Sequence, residues 1–248
     1  MATPPRPPVS SIERIRGPLA VSLVTLAGMP DDAPDLDDQL VTIARLAADV
    51  VAPVSYASVT AMRENAYTTV AATSELAMAV DKAQYADQAG PCLASLDDGT
   101  PVVVPDISAT MQWPGFRDTA FQLGLRSSVS APLFAGSGAT VAVLNLYSHD
   151  ADAMTRLAGR VLAAYDADQD RHGDPDRDSQ SDAGSQDLIT GLREAFAIRA
   201  CIQQAIGVII QRERCTPESA YLILRVRSAE TGESLLGIAQ TLVSGFDH

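Results

Sequence analysis

The sequence predicts two folded parts in series: a mixed α+β domain built on an antiparallel sheet of about five strands with flanking helices, then an all-α module of three helices. Three observations carry this. Between residues 54 and 147, short runs rich in Val, Tyr and Thr alternate with turn residues at strand-like lengths. After residue 187, apolar residues recur only at helical spacing. Between the two parts, Asp166 to Gln186 holds seven aspartates, with serines, glycines and a proline, and only two alanines of apolar content. No core can form from such a stretch.

In chain order, residues 1–17 are proline-rich and read as a disordered lead. Leu19 to Ala27 is a short apolar helix ended by Gly28 and the acidic run Asp31 to Asp38. Leu36, Leu40, Ile43, Ala47 and Val50 have amphipathic helical spacing, stopping before Pro53. The period then changes. Val54 to Met62 and Ala66 to Thr73 form a hairpin around Arg63, Glu64 and Asn65. Glu75 to Tyr85 reads as helix, and Gly90-Pro91 breaks the chain. Val102 to Val104 is a short strand and Phe116 to Leu123 a helix. Ser127 to Phe134 and Thr140 to Tyr147 flank a Gly-containing turn, a second hairpin. Met154 to Tyr165 closes the first domain (18–165) as a helix, and 166–186 is the acidic linker.

The C-terminal module, 187–248, begins with a long helix on Leu188, Leu192, Ala195, Ile202, Ile206 and Ile209. Thr216-Pro217-Glu218 starts the second: a hydroxyl N-cap, proline at the first helical position, and an acid against the dipole. Gly232 ends it, and Leu235, Ile238, Ala239 and Leu242 form the third. The long first helix is also suited to self-pairing.

Composition bounds the function. At 248 residues, with 46% hydrophobic and 20% charged side chains, a folded chain is expected. No apolar run approaches the ~18–20 residues of a membrane span, so no membrane association is expected. The longest run, Pro18 to Gly28, lacks the flanks of a secretory signal. Cys92, Cys201 and Cys215 share no CxxC pairing and are odd in number, which points to reduced thiols in a cytoplasm. The net charge of −13 divides unevenly: residues 1–186 carry 12 basic and 24 acidic side chains, and residues 187–248 carry 6 and 7. The tail, at net −1, is therefore permissive for nucleic acid where the front is not.

Two sets of residues carry a resemblance. Gln84-Tyr85, Gly90-Pro91-Cys92-Leu93, Val104-Pro105-Asp106, Trp113-Pro114-Gly115-Phe116 and Ser130-Ala131-Pro132-Leu133, in this order and spacing, resemble a GAF domain, a small-molecule sensor fold. Arg199, Ile202-Gln203-Gln204-Ala205-Ile206-Gly207, Ala220-Tyr221, Leu224, Arg225, Ser228, Leu235 and Ala239 look like an ANTAR domain, the RNA-binding module of antitermination regulators. A GAF domain followed by ANTAR is an arrangement known in actinobacteria. The resemblance implies a signal-gated RNA binder that acts as a dimer on paired RNA stem-loops, competing with a terminator or acting on the ribosome-binding region. The homodimer would form through the N-terminal sensor helices, the long helix 187–212, or both.

Each candidate RNA-binding residue has a plainer reading. Arg199 falls in the middle of the long helix's apolar stripe, so it is either paired or capping carbonyls inside the bundle, or contacting RNA. Gly207 costs roughly 1 kcal/mol in mid-helix against alanine, which calls for close approach by another helix or by RNA backbone. Gln204, on the polar face, could read base edges or 2′-hydroxyls, or simply be solvated. Tyr221 shares a face with Leu224 and either stacks on a base or packs in the core. Arg225 and Arg227 diverge on the helix, so at most one faces a given RNA strand. Leu222 and Val226 form a second apolar strip, suited to the third helix or a partner; a signalling adaptor whose tail binds a protein is the alternative function. Ile206 and Leu236 stand where relatives are often basic or polar, and no lysine follows Lys82. Binding should therefore lean on shape and a few arginines.

In the sensor, a pocket for a small-molecule ligand of unknown identity is expected between the sheet and the segment Tyr85 to Leu93, with Trp113 and Phe116 as lid residues. Cys92 is a covalent or redox site, or a buried inert thiol; Leu93 follows it where bilin-binding cysteines of this fold typically have His. His149 has no second ligand at recognisable spacing, so no metal is expected. GxxxxGK[ST], HExxH and GxSxG are absent, and Asp97-Asp98 before Gly99 reads as a turn. No enzymatic activity is expected.

Overall fold

The computed structural model describes residues 16–166 and 182–245. The proline-rich lead and most of the acidic linker lie outside the described residues. The element order is α1 (Pro18–Gly28), α2 (Leu36–Val50), β1 (Tyr56–Arg63), β2 (Ala66–Ala72), α3 (Glu75–Asp87), α4 (Pro91–Asp98), β3 (Val102–Val104), α5 (Pro114–Gln122), β4 (Ser127–Phe134), β5 (Thr140–Ser148), α6 (Ala151–Ala164), α7 (Ala183–Glu213), α8 (Pro217–Thr231) and α9 (Leu235–Ser244).

The strands form one antiparallel sheet in the order β2-β1-β5-β4-β3. Period-two alternation gives it two unlike faces. Ala57, Val59, Ala61, Val129, Ala131, Leu144 and Leu146 form an apolar face, buried against Leu40, Ile43, Leu157 and Val161 of α2 and α6. The opposite face carries Ser58, Thr60, Ser130, Asn145 and Tyr147, with Ser58, Asn145 and Ser130 side by side across β1, β5 and β4. This face lies under α3 and α4, with α5 packed against α3.

The long helix α7 belongs to two cores. Leu188, Ile189 and Leu192 pack with the apolar side of the sheet and with Leu19, Leu23 and Leu26 of α1. Ala195, Ile198, Ile202, Ala205, Ile206 and Ile209 pack instead with Ala220 and Leu224 of α8 and Leu235, Ile238 and Ala239 of α9. The pairing of α1 with α7 is close: a Cβ on Gly191 would sit 2.7 Å from the Ala20 Cα. Asp187 fixes the register, its carboxylate accepting from the backbone amides of Gly17 (2.6 Å), Leu19 (3.0 Å) and Ala20 (3.2 Å). A residue of α7 thus satisfies the orphan donors at the start of α1.

Three local expectations change. Gly90-Pro91, read as a break, is the start of α4: Gly90 is its N-cap and Pro91 stands in its first turn, where a missing N–H costs nothing. Asp97-Asp98 closes that helix ahead of left-handed Gly99. The long helix takes in Ala183–Gln186 from the stretch read as linker, because Asp182 caps it by accepting from the Ser185 amide.

Candidate functional site

Three of the six candidate RNA-binding residues converge, and they converge on the sensor. Arg199, half-buried, donates from Nε to the Gly138 carbonyl (2.8 Å) and lies 4.0 Å from the Phe134 ring centroid. Burial lowers its pKa, a cost the carbonyl and the aromatic face offset. One turn on, Gln203 donates to the Ser137 carbonyl. On α8, Arg225 forms a two-pronged ion pair with Asp32, at 3.1 and 2.9 Å. Tyr221, half-buried, accepts from the Asp31 amide at 3.4 Å, and burial followed by the Asp31 charge raises its pKa. Asp31 in turn accepts from the Ser137 amide at 2.9 Å.

The other three lie apart from this cluster. Gln204 and Gly207 are exposed on α7, and a Cβ on Gly207 would meet nothing within 4 Å. Helix packing within the chain therefore does not explain that glycine. Arg227 is half-buried, turned away from Arg225 by the helical repeat. Leu222 and Val226 are 58% and 47% exposed, so α9 does not cover them.

The expected pocket residues do not share one wall. Tyr85 and Cys92 pack with Leu93, Val143 and Tyr67, whereas Trp113 and Phe116 belong to a separate cluster with Val80, Ile107 and Leu125. Between sheet and helices runs a network of the chain's own polar groups. Asp81, wholly buried, accepts from Tyr147 Oη (2.7 Å), Ser58 Oγ (3.0 Å) and Thr69 Oγ1 (3.0 Å). Burial pushes its pKa up to about 6, against the pull of those three donors. Tyr85 Oη lies 2.9 Å from Thr60 and 2.8 Å from Thr69. Asn145 donates to Thr60 and accepts from Ser130, while Gln84 accepts from the Cys92 amide. Burial, and then the Asp81 charge, raise the Cys92 thiol pKa, which fits an inert thiol. His149 caps the Gly124 carbonyl at 2.9 Å and meets Tyr56 edge-on. Among the described residues no group of three or more His, Cys, Asp or Glu is placed to hold a metal.

A family model described as a GAF domain matches residues 33–165, and one described as an ANTAR domain matches residues 190–243. The chain belongs to the GAF domain family and carries an ANTAR domain behind it. No curated protein matches the sequence. GAF is a signal-sensing domain and ANTAR an RNA-binding domain of antitermination regulators; neither family is enzymatic. No helix among the described residues is long and apolar enough to cross a membrane.

The GAF interior holds residues not expected in the site from the sequence: Asp81, Asn145 and Tyr147. Their signal was present as polar residues at every second position of β1, β4 and β5, Ser58 and Thr60, Ser128 and Ser130, Asn145 and Tyr147. Missed too was Asp32, in the acidic segment after α1. That segment also walls a cleft of about 440 Å³ whose far side is Met62, Arg63, Thr140 and Val141.

Proposed function

We propose that this GAF–ANTAR protein is a signal-responsive RNA-binding regulator that acts by transcription antitermination, or on the ribosome-binding region, under control of its GAF domain. The observation that carries the reading is the shared helix α7. The GAF core holds its first half through Leu188, Ile189 and Leu192, and the ANTAR core its second half through Ile198, Ile202 and Ile209. A signal that repacks the GAF domain must therefore shift the helix bearing Arg199, Gln204 and Gly207, because packed cores do not deform continuously. Exposed Gln204 and the open backbone at Gly207 suit an approach to RNA stem-loops, whose wide minor groove displays 2′-hydroxyls. Arg199, Tyr221, Arg225 and Arg227 supply the remaining contacts, and a small molecule acting at the GAF domain, through the region of Tyr85, Cys92, Trp113 and Phe116, sets the gate. A homodimer pairs two such modules with two stem-loops.

Fluorescence anisotropy of the full chain with an RNA bearing two stem-loops tests this. Salt-dependent binding is expected; no binding at any salt concentration refutes it. The exposed Leu222–Val226 strip favours a second reading, an adaptor that binds a protein through α8. In that case Leu222→Asp abolishes partner pull-down while Arg225→Ala leaves activity intact.

A further inference from the structure

We infer that the segment joining α1 to α2, together with the turn between β4 and β5, is an autoinhibitory latch: it covers Arg199, Tyr221 and Arg225 of the ANTAR domain and keeps them from RNA. The inference rests on the RNA-binding reading above and goes beyond it by naming the contact that must open.

Four observations carry it. The Asp32 carboxylate takes the Arg225 guanidinium in a two-pronged pair, the geometry in which that group would grip a phosphate. While Asp32 is in place, an RNA phosphate meets a carboxylate instead of a cation, with Asp31, Asp35, Asp37 and Asp38 close by in sequence. Secondly, the turn offers carbonyls to the first helix of the module: Gly138 to Arg199 and Ser137 to Gln203. Thirdly, segment and turn are tied to each other, since the Gly136 amide donates to the Met29 carbonyl (2.6 Å) and the Ser137 amide to Asp31 (2.9 Å). The two halves of the cover are thus coupled. Lastly, the turn is shaped for this contact. A Cβ on Gly136 would lie 2.6 Å from the Met29 carbonyl oxygen, 2.9 Å from Leu235 Cδ1 and 2.9 Å from Tyr221 Oη. A Cβ on Gly138, whose φ is +80°, would lie 2.5 Å from Gln203 Nε2. Gly136 has no left-handed φ that would require a glycine, so the close seat of the ANTAR domain accounts for it.

The latch can be released. Asp32 is 66% exposed and Arg225 35%, so water and salt weaken their pair. The cleft behind Asp31 and Asp32 gives the segment room to move away from α8.

The test uses the full chain and two variants that leave every candidate RNA-binding side chain in place. Gly136→Ala wedges the turn away from Tyr221 and Leu235. Asp31→Ala combined with Asp32→Ala removes the segment's hold at the surface, and keeps the test open should the first variant fold poorly. Two readouts are taken: the rate at which phenylglyoxal modifies Arg225, which needs no RNA, and anisotropy with a labelled RNA of two stem-loops. Both variants are expected to speed modification of Arg225 and to tighten RNA binding, by about ten-fold for the wedge if the open form is a minor population in the wild type. An unchanged modification rate overturns the latch. Faster modification with unchanged or weaker RNA binding overturns it too, since the contact then belongs to the binding-competent form. If no protein binds RNA, the RNA reading fails, and the modification rate alone decides whether the cover exists.

Discussion

Replacing Asp187 by alanine separates a helix that merely follows the GAF domain from one built into it. The carboxylate accepts three backbone N–H groups at the start of α1, at 2.6, 3.0 and 3.2 Å, across 170, 168 and 167 residues of sequence. Loss of an ordinary N-cap costs about 0.5–2 kcal/mol. This cap is charged and serves three donors, two of them on the fully buried residues Leu19 and Ala20. A buried donor left without a partner costs about 1–3 kcal/mol. Water reaches the Gly17 end beside exposed Arg16, so the donors are not all lost, and about 2–3 kcal/mol is expected for Asp187→Ala. Asp187→Asn keeps one acceptor and loses the charge–dipole attraction, for about 1 kcal/mol. Urea unfolding followed by far-ultraviolet circular dichroism measures both, and amide exchange in residues 18–22 shows where the loss falls. A change under about 0.5 kcal/mol for Asp187→Ala, with exchange in α1 unaltered, would refute the claim that α1 and α7 form one body.

Other substitutions probe the same architecture. Gly191→Ala places a methyl 2.7 Å from the Ala20 Cα and 2.8 Å from Leu23 Cδ1, so a loss of about 1–3 kcal/mol is expected in thermal unfolding. Gly207→Ala meets open space and should raise the thermal midpoint, by roughly 1 kcal/mol of helix propensity, while weakening RNA binding if backbone approaches there; an unchanged affinity removes Gly207 from the interface. Asp81 has a folded pKa of about 6 against an ordinary 3.8, so the folded state favours its protonated form. Its contribution is fully present below about pH 4 and lost as pH rises through 6. The stability difference between wild type and Asp81→Asn should therefore fall by on the order of 3 kcal/mol from pH 4 to 7, about two pKa units. A difference independent of pH would show that Asp81 is not held as the structure places it.

Much of the architecture was written locally. Thr216-Pro217 and Gly232 bound α8 as their chemistry requires, and β3 and β4 occupy the residues that composition marked. Arg199 was legible as an engaged residue because it falls in an apolar stripe. Its partner, a hairpin carbonyl 61 residues away, was not. The same limit hid the pairing of α1 with α7, which joins segments far apart in sequence and rests on a capping carboxylate that reads as an ordinary surface acid. The polar face of the sheet had the right period but the wrong apparent side: serines and an asparagine alternating with apolar residues look solvent-facing until α3 supplies Asp81 to accept from Ser58, and Asn145 is seen to bond Ser130 and Thr60 across the sheet. Two glycines misled in opposite ways. Gly207, expected to meet another helix or RNA backbone, borders open space within the chain, whereas Gly136, one of the glycines of the second hairpin's turn, is pressed against the ANTAR domain.

If the ANTAR domain grips RNA through a few arginines under GAF control, its binding must depend on salt in a defined way. Residues 187–248 hold 6 basic side chains, all arginine. Titrating the full chain against an RNA of two stem-loops over a series of salt concentrations should give a slope of log K against log salt no steeper than about −5 per protomer. The slope should become shallower by about one when Arg225 is replaced by alanine. Binding that ignores salt, or a slope left unchanged by Arg225→Ala, would contradict it.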